Sequence, residues 1–296
     1  MVKPEIDSLL PGAGDPSRRA FGRAAVGAGI GAGLGVGFAA AALPVVAQTM
    51  INTDTNGLTA GEVIIDVAGF KMPAYRALPA GKAKAPVVLV ISEILGVHEH
   101  IADVARRFAK QGYLAIAPEL FARHGDPGSY GEIAKLIAEV VSKVNQAQLV
   151  ADLDATVAWA KAQGADTTRL GITGFCWGGQ APWVYAAHNP ALKAGVAWYG
   201  RFAPAYAPGD PMLFDLAPRI KAPILGLYGA ADTGIPNDSV DKMRDALKAA
   251  GNSRSEIVLY PDTPHAFHAD YRPTYRQRQA EDGWKRCLEW FSKNGV

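Results

Sequence analysis

Leu170-Gly171-Ile172-Thr173-Gly174-Phe175-Cys176-Trp177-Gly178-Gly179-Gln180 decides how this chain is read. An apolar, strand-like run leads into it, and a helix-compatible stretch begins near Gln180. Small residues on both sides of the centre let the backbone turn sharply without Cβ clashes. A strand-to-helix turn of this kind lifts one side chain, here Cys176, clear of a sheet. It also sets that side chain at a helix N-terminus, where orphan N–H groups and the positive dipole end favour negative charge. Such a field favours thiolate over thiol. Taken alone, Gly-x-Cys-x-Gly equally describes an inert cysteine beside a glycine bend. The rest of the chain has to decide between the two.

Outward from that point, strands and helices alternate. Glu62–Val67 and Met72–Leu78 predict an opening β-hairpin around Gly69. Pro86–Ile91 is a continuous apolar run, as in a strand buried on both faces. Ile101, Val104, Ala105 and Phe108 share a helical face that ends near Gly112, and Tyr113–Ala117 predicts the next strand. An irregular region from Arg123 to Asn145 precedes a helix marked by Val150, Leu153, Val157 and Ala160. Beyond the elbow come strands at Ala194–Tyr199, Ile224–Tyr228 and Glu256–Tyr260, separated by helical segments. The alternation predicts an α/β protein with a mostly parallel central sheet and helices on both faces. In such sheets chemistry gathers at the carboxyl ends of strands.

Three further residues lie at such ends. Asp232 follows the strand Ile224–Tyr228, and His265 follows Glu256–Tyr260. Nucleophile, acid and histidine then occur in the chain order of an α/β-hydrolase, whose nucleophile elbow has the Gly-x-nucleophile-x-Gly form. Singly, Asp232 reads as a turn or cap residue and His265 as an exposed loop histidine. As an ordered set with Cys176 they read as orienting acid, base and nucleophile. His268 and Asp262 are nearby competitors whose placement fits less well. Glu93 stands immediately after the buried strand Pro86–Ile91, where an unpaired carboxylate would be costly.

The Glu93-Ile94-x-Gly96-Val97 loop, Gly-x-Cys176-x-Gly-Gly, Asp232 and His265 together resemble the dienelactone hydrolase (carboxymethylenebutenolidase) family over nearly all of residues 60–293. The resemblance implies an α/β-hydrolase fold without cofactor, acting on a small-molecule lactone or ester. It implies Cys176 as nucleophile, His265 as base and Asp232 as the histidine's partner. Glu93 matches an extra carboxylate that interacts with the thiol and helps govern when thiolate forms. The backbone N–H groups of Ile94 and Trp177 match an oxyanion hole. Two arginines grip the substrate carboxylate in the family. One lies four residues beyond the histidine, where this chain has Ala269, and the adjacent small hydroxyl position is Ala266. Near the other position only Lys135 is found; Arg123, Arg201 and Arg272 are the remaining substitutes.

Other features bound the reading. Ser17-Arg18-Arg19-Ala20-Phe21 and the uncharged stretch from Ala24 to Ala42 form a twin-arginine export pattern ending in small residues near Ala47. Residues 1–47 are expected to be cleaved, leaving one domain over 48–296 in the periplasm or outside the cell. The rival reading is a membrane anchor, which the many glycines argue against. A net charge of +2 gives no support to a nucleic-acid partner. Two cysteines make no disulfide scaffold, and Cys287 falls with Trp284, Leu288 and Phe291 on one face of a terminal helix. His98-Glu99-His100 lacks the spacing of a zinc helix and reads as polar residues opening a helix, so no metal is expected. Among the aromatics, Trp177 is expected to wall the substrate pocket. A monomer or small homo-oligomer is expected. The alternatives left open are a general carboxylesterase or thioesterase on the same site, and an exported binding protein that does not turn over.

Overall fold

The computed structural model describes residues 51–296. The export pattern at residues 1–47 therefore lies outside the described residues. An antiparallel hairpin, β1 (Leu58–Val67) and β2 (Phe70–Pro79), opens the fold. It closes through Ala68 and Gly69, both at positive φ, and Asp66 Oδ1 accepts the Gly69 N–H at 2.8 Å. A two-residue turn with both φ values positive matches the twist of the strands it joins. β1 alternates exposed and covered residues, so one of its faces meets water.

The strands that follow are β3 (Pro86–Ile91), β4 (Leu114–Pro118), β5 (Asp166–Phe175), β6 (Ala194–Trp198), β7 (Ile224–Gly229) and β8 (Glu256–Tyr260). Strand order is β1-β2-β4-β3-β5-β6-β7-β8, and all pairs from β4 to β8 are parallel. Every residue of β3, β4, β6 and β7 is buried, as continuous apolar runs require when helices cover both faces.

The helices are α1 (Glu99–Lys110), α2 (Ile133–Glu139), α3 (Gln146–Ala162), α4 (Ala181–His188), α5 (Asn237–Ala249) and α6 (Gln277–Lys293). α1 and α6 share one face of the sheet, where Phe108 meets Trp284 with ring centroids 4.5 Å apart. α3 and α4 meet through Tyr185, whose hydroxyl donates to Asp154 at 2.9 Å. The chain leaves β3 toward β4 and then returns past β3 to β5, so right-handed crossovers put α1 and α3 on opposite faces. That reversal beside β3 and β5 opens a crevice at their carboxyl ends.

The irregular region expected between Arg123 and Asn145 contains α2 and two short 3-10 turns. Cys287 is buried in α6 as an unpaired thiol, and Cys176 is likewise not in a disulfide. Among the described residues, no helix is long and apolar enough to cross a membrane.

Candidate active site

Cys176 follows β5 directly and has φ of 53°, in the left-handed region. Holding a non-glycine residue there costs about 1–3 kcal/mol, which the surroundings must offset. The glycines around it make the turn possible by close approach. A Cβ at Gly174 would run into the carbonyl of Gly178, and one at Gly178 would stand 2.6 Å from the carbonyl oxygen of Ile91. The elbow thus rests on the end of β3. One 3-10 turn, Cys176–Gln180, then leads into α4.

The acid and the histidine come from two loops joined through their main chains. Ala230 N–H donates to the Tyr260 carbonyl at 2.8 Å, and Ala231 N–H to the Thr263 carbonyl at 3.0 Å. Across this seam His265 Nδ1 lies 2.6 Å from Asp232 Oδ2. The other carboxylate oxygen of Asp232, which is buried, accepts the Gly234 N–H at 2.9 Å. Burial works against a charged imidazole, but the charges of Cys176 and Asp232, and hydrogen bonds to both, raise the His265 pKa to about 10. His268 is instead sandwiched between aromatic rings, 5.0 Å from Phe175 and 4.6 Å from Trp198. Burial, with Arg107 and His100 nearby, drives its pKa well down. Asp262 is exposed.

Glu93 is buried and shares the cleft with Cys176. Its Oε1 lies 2.7 Å from His98 Nε2 and also accepts the Tyr271 hydroxyl. The Arg272 guanidinium stands 4.0 Å from the same oxygen, and Oε2 has no hydrogen-bond partner. Burial would raise this carboxyl's pKa; His98, His100 and Arg272 outweigh it and hold Glu93 well below the usual carboxylate range. Tyr271, buried beside that anion, is pushed well above the ordinary tyrosine value and keeps its proton to donate.

His98 and His100 open α1, as expected. Both are buried. His100 Nδ1 lies 2.9 Å from Asp270 Oδ1, while Asp270 Oδ2 receives Arg107 and the Ile51 N–H, each at 2.9 Å. His100 lines the cleft, so a second acid–histidine pair stands beside the first. Among the described residues no group of three or more side chains is arranged to hold a metal ion. His98, His100, Asp270 and Tyr271 are the residues that sequence reasoning passed over. The available signal was two histidines on consecutive even positions just ahead of an amphipathic helix, and a polar cluster shortly after His265.

The cleft spans about 270 Å³, open solvent included. Cys176, His265, Glu93 and Arg272 supply its reactive and charged lining; Phe175, Tyr199, Ala266 and Ala269 supply its apolar walls. Trp177, expected as a wall, instead has its side chain fully buried against Phe121, with ring centroids 4.6 Å apart. Phe175 and Tyr199 take that position because residue 175 ends the strand and Tyr199 follows β6. Of the four cations considered for a substrate carboxylate, Arg272 alone lines the cleft. Arg123 pairs with Asp152 at 2.7 Å and lies 4.3 Å over the Phe70 ring. Lys135 is exposed near Glu139, and Arg201 lies 4.0 Å over the Tyr206 ring.

A mostly parallel sheet of this order, with a sharp turn at positive φ after its central strand, is an α/β-hydrolase fold. The chain belongs to the dienelactone hydrolase family, whose model matches residues 72–295, and it is a hydrolase of that family. It is 57% identical over 263 residues to a Methylorubrum extorquens protein named "Putative carboxymethylenebutenolidase", covering 88% of this chain and 89% of that one. An Escherichia coli protein of the same name is 52% identical over 262 residues, covering 87% and 95%. The crystal structure of a "Putative Dienelactone Hydrolase" from Klebsiella pneumoniae superposes with a TM-score of 0.77 at 52% identity, covering 80% of this chain and 99% of that one.

Proposed function

We propose that this protein hydrolyses a carboxylic ester or lactone through an acyl-enzyme on Cys176. In the reactive form of the site the proton of Cys176 has passed to His265, so that a thiolate faces an imidazolium. The thiolate attacks the carbonyl carbon, forming the S–C bond, and the oxyanion is received by the N–H groups of Ile94 and Trp177. As the C–O bond breaks, the imidazolium gives its proton to the departing enolate or alkoxide oxygen. His265 then takes a proton from water, whose oxygen bonds to the acyl carbon as the S–C bond breaks. The acid leaves, and the proton passes from His265 back to sulfur. Asp232 holds the imidazole in orientation and stabilises its charge. Each oxyanion donor contributes on the order of 3–4 kcal/mol in the transition state.

The observation that carries this reading is Cys176 at positive φ on its elbow, in one cleft with a histidine 2.6 Å from a buried aspartate. The dienelactone hydrolase family membership and the curated relatives' names support ester or lactone chemistry. Ala266 and Ala269 in the cleft wall, and an Arg272 already stacked 4.6 Å over Tyr271, favour neutral esters over a doubly clamped carboxylate. With its export pattern at residues 17–47, we place this activity outside the cytoplasm, on a small-molecule substrate and without nucleic acid or a membrane anchor.

The test is acyl transfer by the mature protein and its Cys176→Ser variant, on dienelactone beside neutral aryl esters. Cys176→Ser is expected to fold, by circular dichroism, and to lose several orders of magnitude in kcat. A folded variant with wild-type turnover would remove the cysteine mechanism. Absence of turnover on every ester and lactone would leave the binding-protein reading instead.

A further inference from the structure

Glu119 is a charged side chain next to the site that acyl transfer does not use. It follows β4 immediately, on the strand that neighbours β3, and its own N–H is tied to the Pro73 carbonyl at 2.9 Å. From there its carboxylate reaches across to the loop that leaves β3. Oε2 accepts the Val97 N–H at 2.6 Å, while Oε1 accepts the Phe121 N–H at 3.3 Å. The loop has been shaped to admit it. Gly96 lies at φ of 74°, and a Cβ there would stand 2.6 Å from Glu119 Oε2. One residue beyond Val97, His98 turns back to Glu93 at 2.7 Å. Residues 93–98 are thus held at one point by a side chain from β4 and at another by their own histidine.

We propose that Glu119 is a positioning residue that sets the loop carrying Glu93 and the Ile94 N–H, and does so best as a carboxylate. This rests on the oxyanion role given to Ile94 above. The anion has acceptor capacity for both N–H groups, whereas the acid turns one oxygen into a hydroxyl and weakens one of the two bonds. The groups facing Glu119 are the Val97 and Phe121 N–H groups, the Asp126 carboxylate and His98. Burial pushes its pKa up to about 7, with Asp126 adding to the rise; the two N–H groups and His98 oppose it. The proton therefore leaves as pH climbs through about 7, and the loop tightens in that direction.

The experiment compares kcat and KM of wild type and Glu119→Gln on a neutral aryl ester across the acidic to mildly alkaline range. An amide accepts through one oxygen only, at any pH, so the variant is fixed in the looser state. The expected ratio of wild-type to variant kcat is near one at about pH 5.5 and grows to about tenfold by about pH 8.5, below the loss of a whole oxyanion donor. KM should change by less than about twofold, because ground-state binding does not use the oxyanion donors. A ratio that stays flat with pH, at any size, overturns the proposal, since a merely structural role would act equally throughout.

If Glu119→Gln does not fold, amide hydrogen exchange of residues 93–97 in the wild type carries the test. Protection, corrected for the intrinsic rate, should rise as pH passes about 7; constant protection overturns the proposal. Cys176→Ser is run alongside. If it turns over normally, the acyl-enzyme reading fails; if it is inert while the Glu119→Gln ratio is flat, the Glu119 inference fails alone.

Discussion

His98 and Tyr271 meet on a single oxygen of Glu93, one from the loop after β3 and the other from the loop after β8. Two chain segments 173 residues apart are thereby joined by one carboxylate in the cleft that holds Cys176. Because both donors occupy Oε1, the other oxygen remains without a partner in a cleft shared with Cys176. A buried anion in that position opposes a second negative charge on sulfur.

Replacing Glu93 with Gln removes that opposition and leaves the donor set of His98 and Tyr271 in place. Alkylation of Cys176 by iodoacetamide should become about tenfold faster near neutral pH, equivalent to one unit of thiol acidity. The pH dependence of turnover should change with it. Unaltered alkylation and an unaltered pH profile would take Glu93 out of the control of the thiol.

Asp232→Asn tests the charge on His265. The His265 pKa is raised to about 10, so its charged form is complete below the ordinary histidine value and is lost as pH rises through about 10. Stability drawn from the charged imidazole follows the same course. An amide in place of Asp232 removes one of the charges that raises it, so the alkaline limb of kcat/KM should move down toward the ordinary value. The rate near neutrality should fall by about 10²–10⁴-fold. A variant whose alkaline limb stays where the wild type has it would contradict the pairing.

Ala269→Arg restores a cation where the family carries one. In the cleft it would face Arg272 and compete for Glu93, so a modest gain is expected rather than full clamping. The ratio of kcat/KM for an anionic lactone over a neutral aryl ester should rise by about tenfold, or about 1.4 kcal/mol. An unchanged ratio would mean that substrate charge is read elsewhere in the cleft.

Much of the architecture was legible because fully buried strands are written as unbroken apolar runs. Pro86–Ile91 matches its strand residue for residue and is buried throughout; Glu256–Tyr260 matches too, although this edge strand is only partly covered. Cys176, Asp232 and His265 were legible for a related reason: each follows such a run, and parallel sheets gather those ends together. The cations were not. Arg123 and Arg272 look alike in sequence, yet Arg123 finds Asp152 on α3 while Arg272 folds over Tyr271 into the cleft. A long side chain's destination depends on partners distant in the chain. His98 and His100 were legible as the start of a helix but their partners were not: that start lies beneath the loop after β8, which brings Asp270 to His100 and Tyr271 to the Glu93 oxygen that His98 also meets.

The seam between the loops bearing Asp232 and His265 is made of peptide groups, Ala230 to Tyr260 and Ala231 to Thr263. Since main-chain bonds set that spacing, substitutions at cleft walls that do not pack on His265, as Tyr199 does, leave the Asp232–His265 pair where it stands. Substrate preference in this scaffold is therefore free to drift residue by residue, without each change having to rebuild the chemistry beneath it.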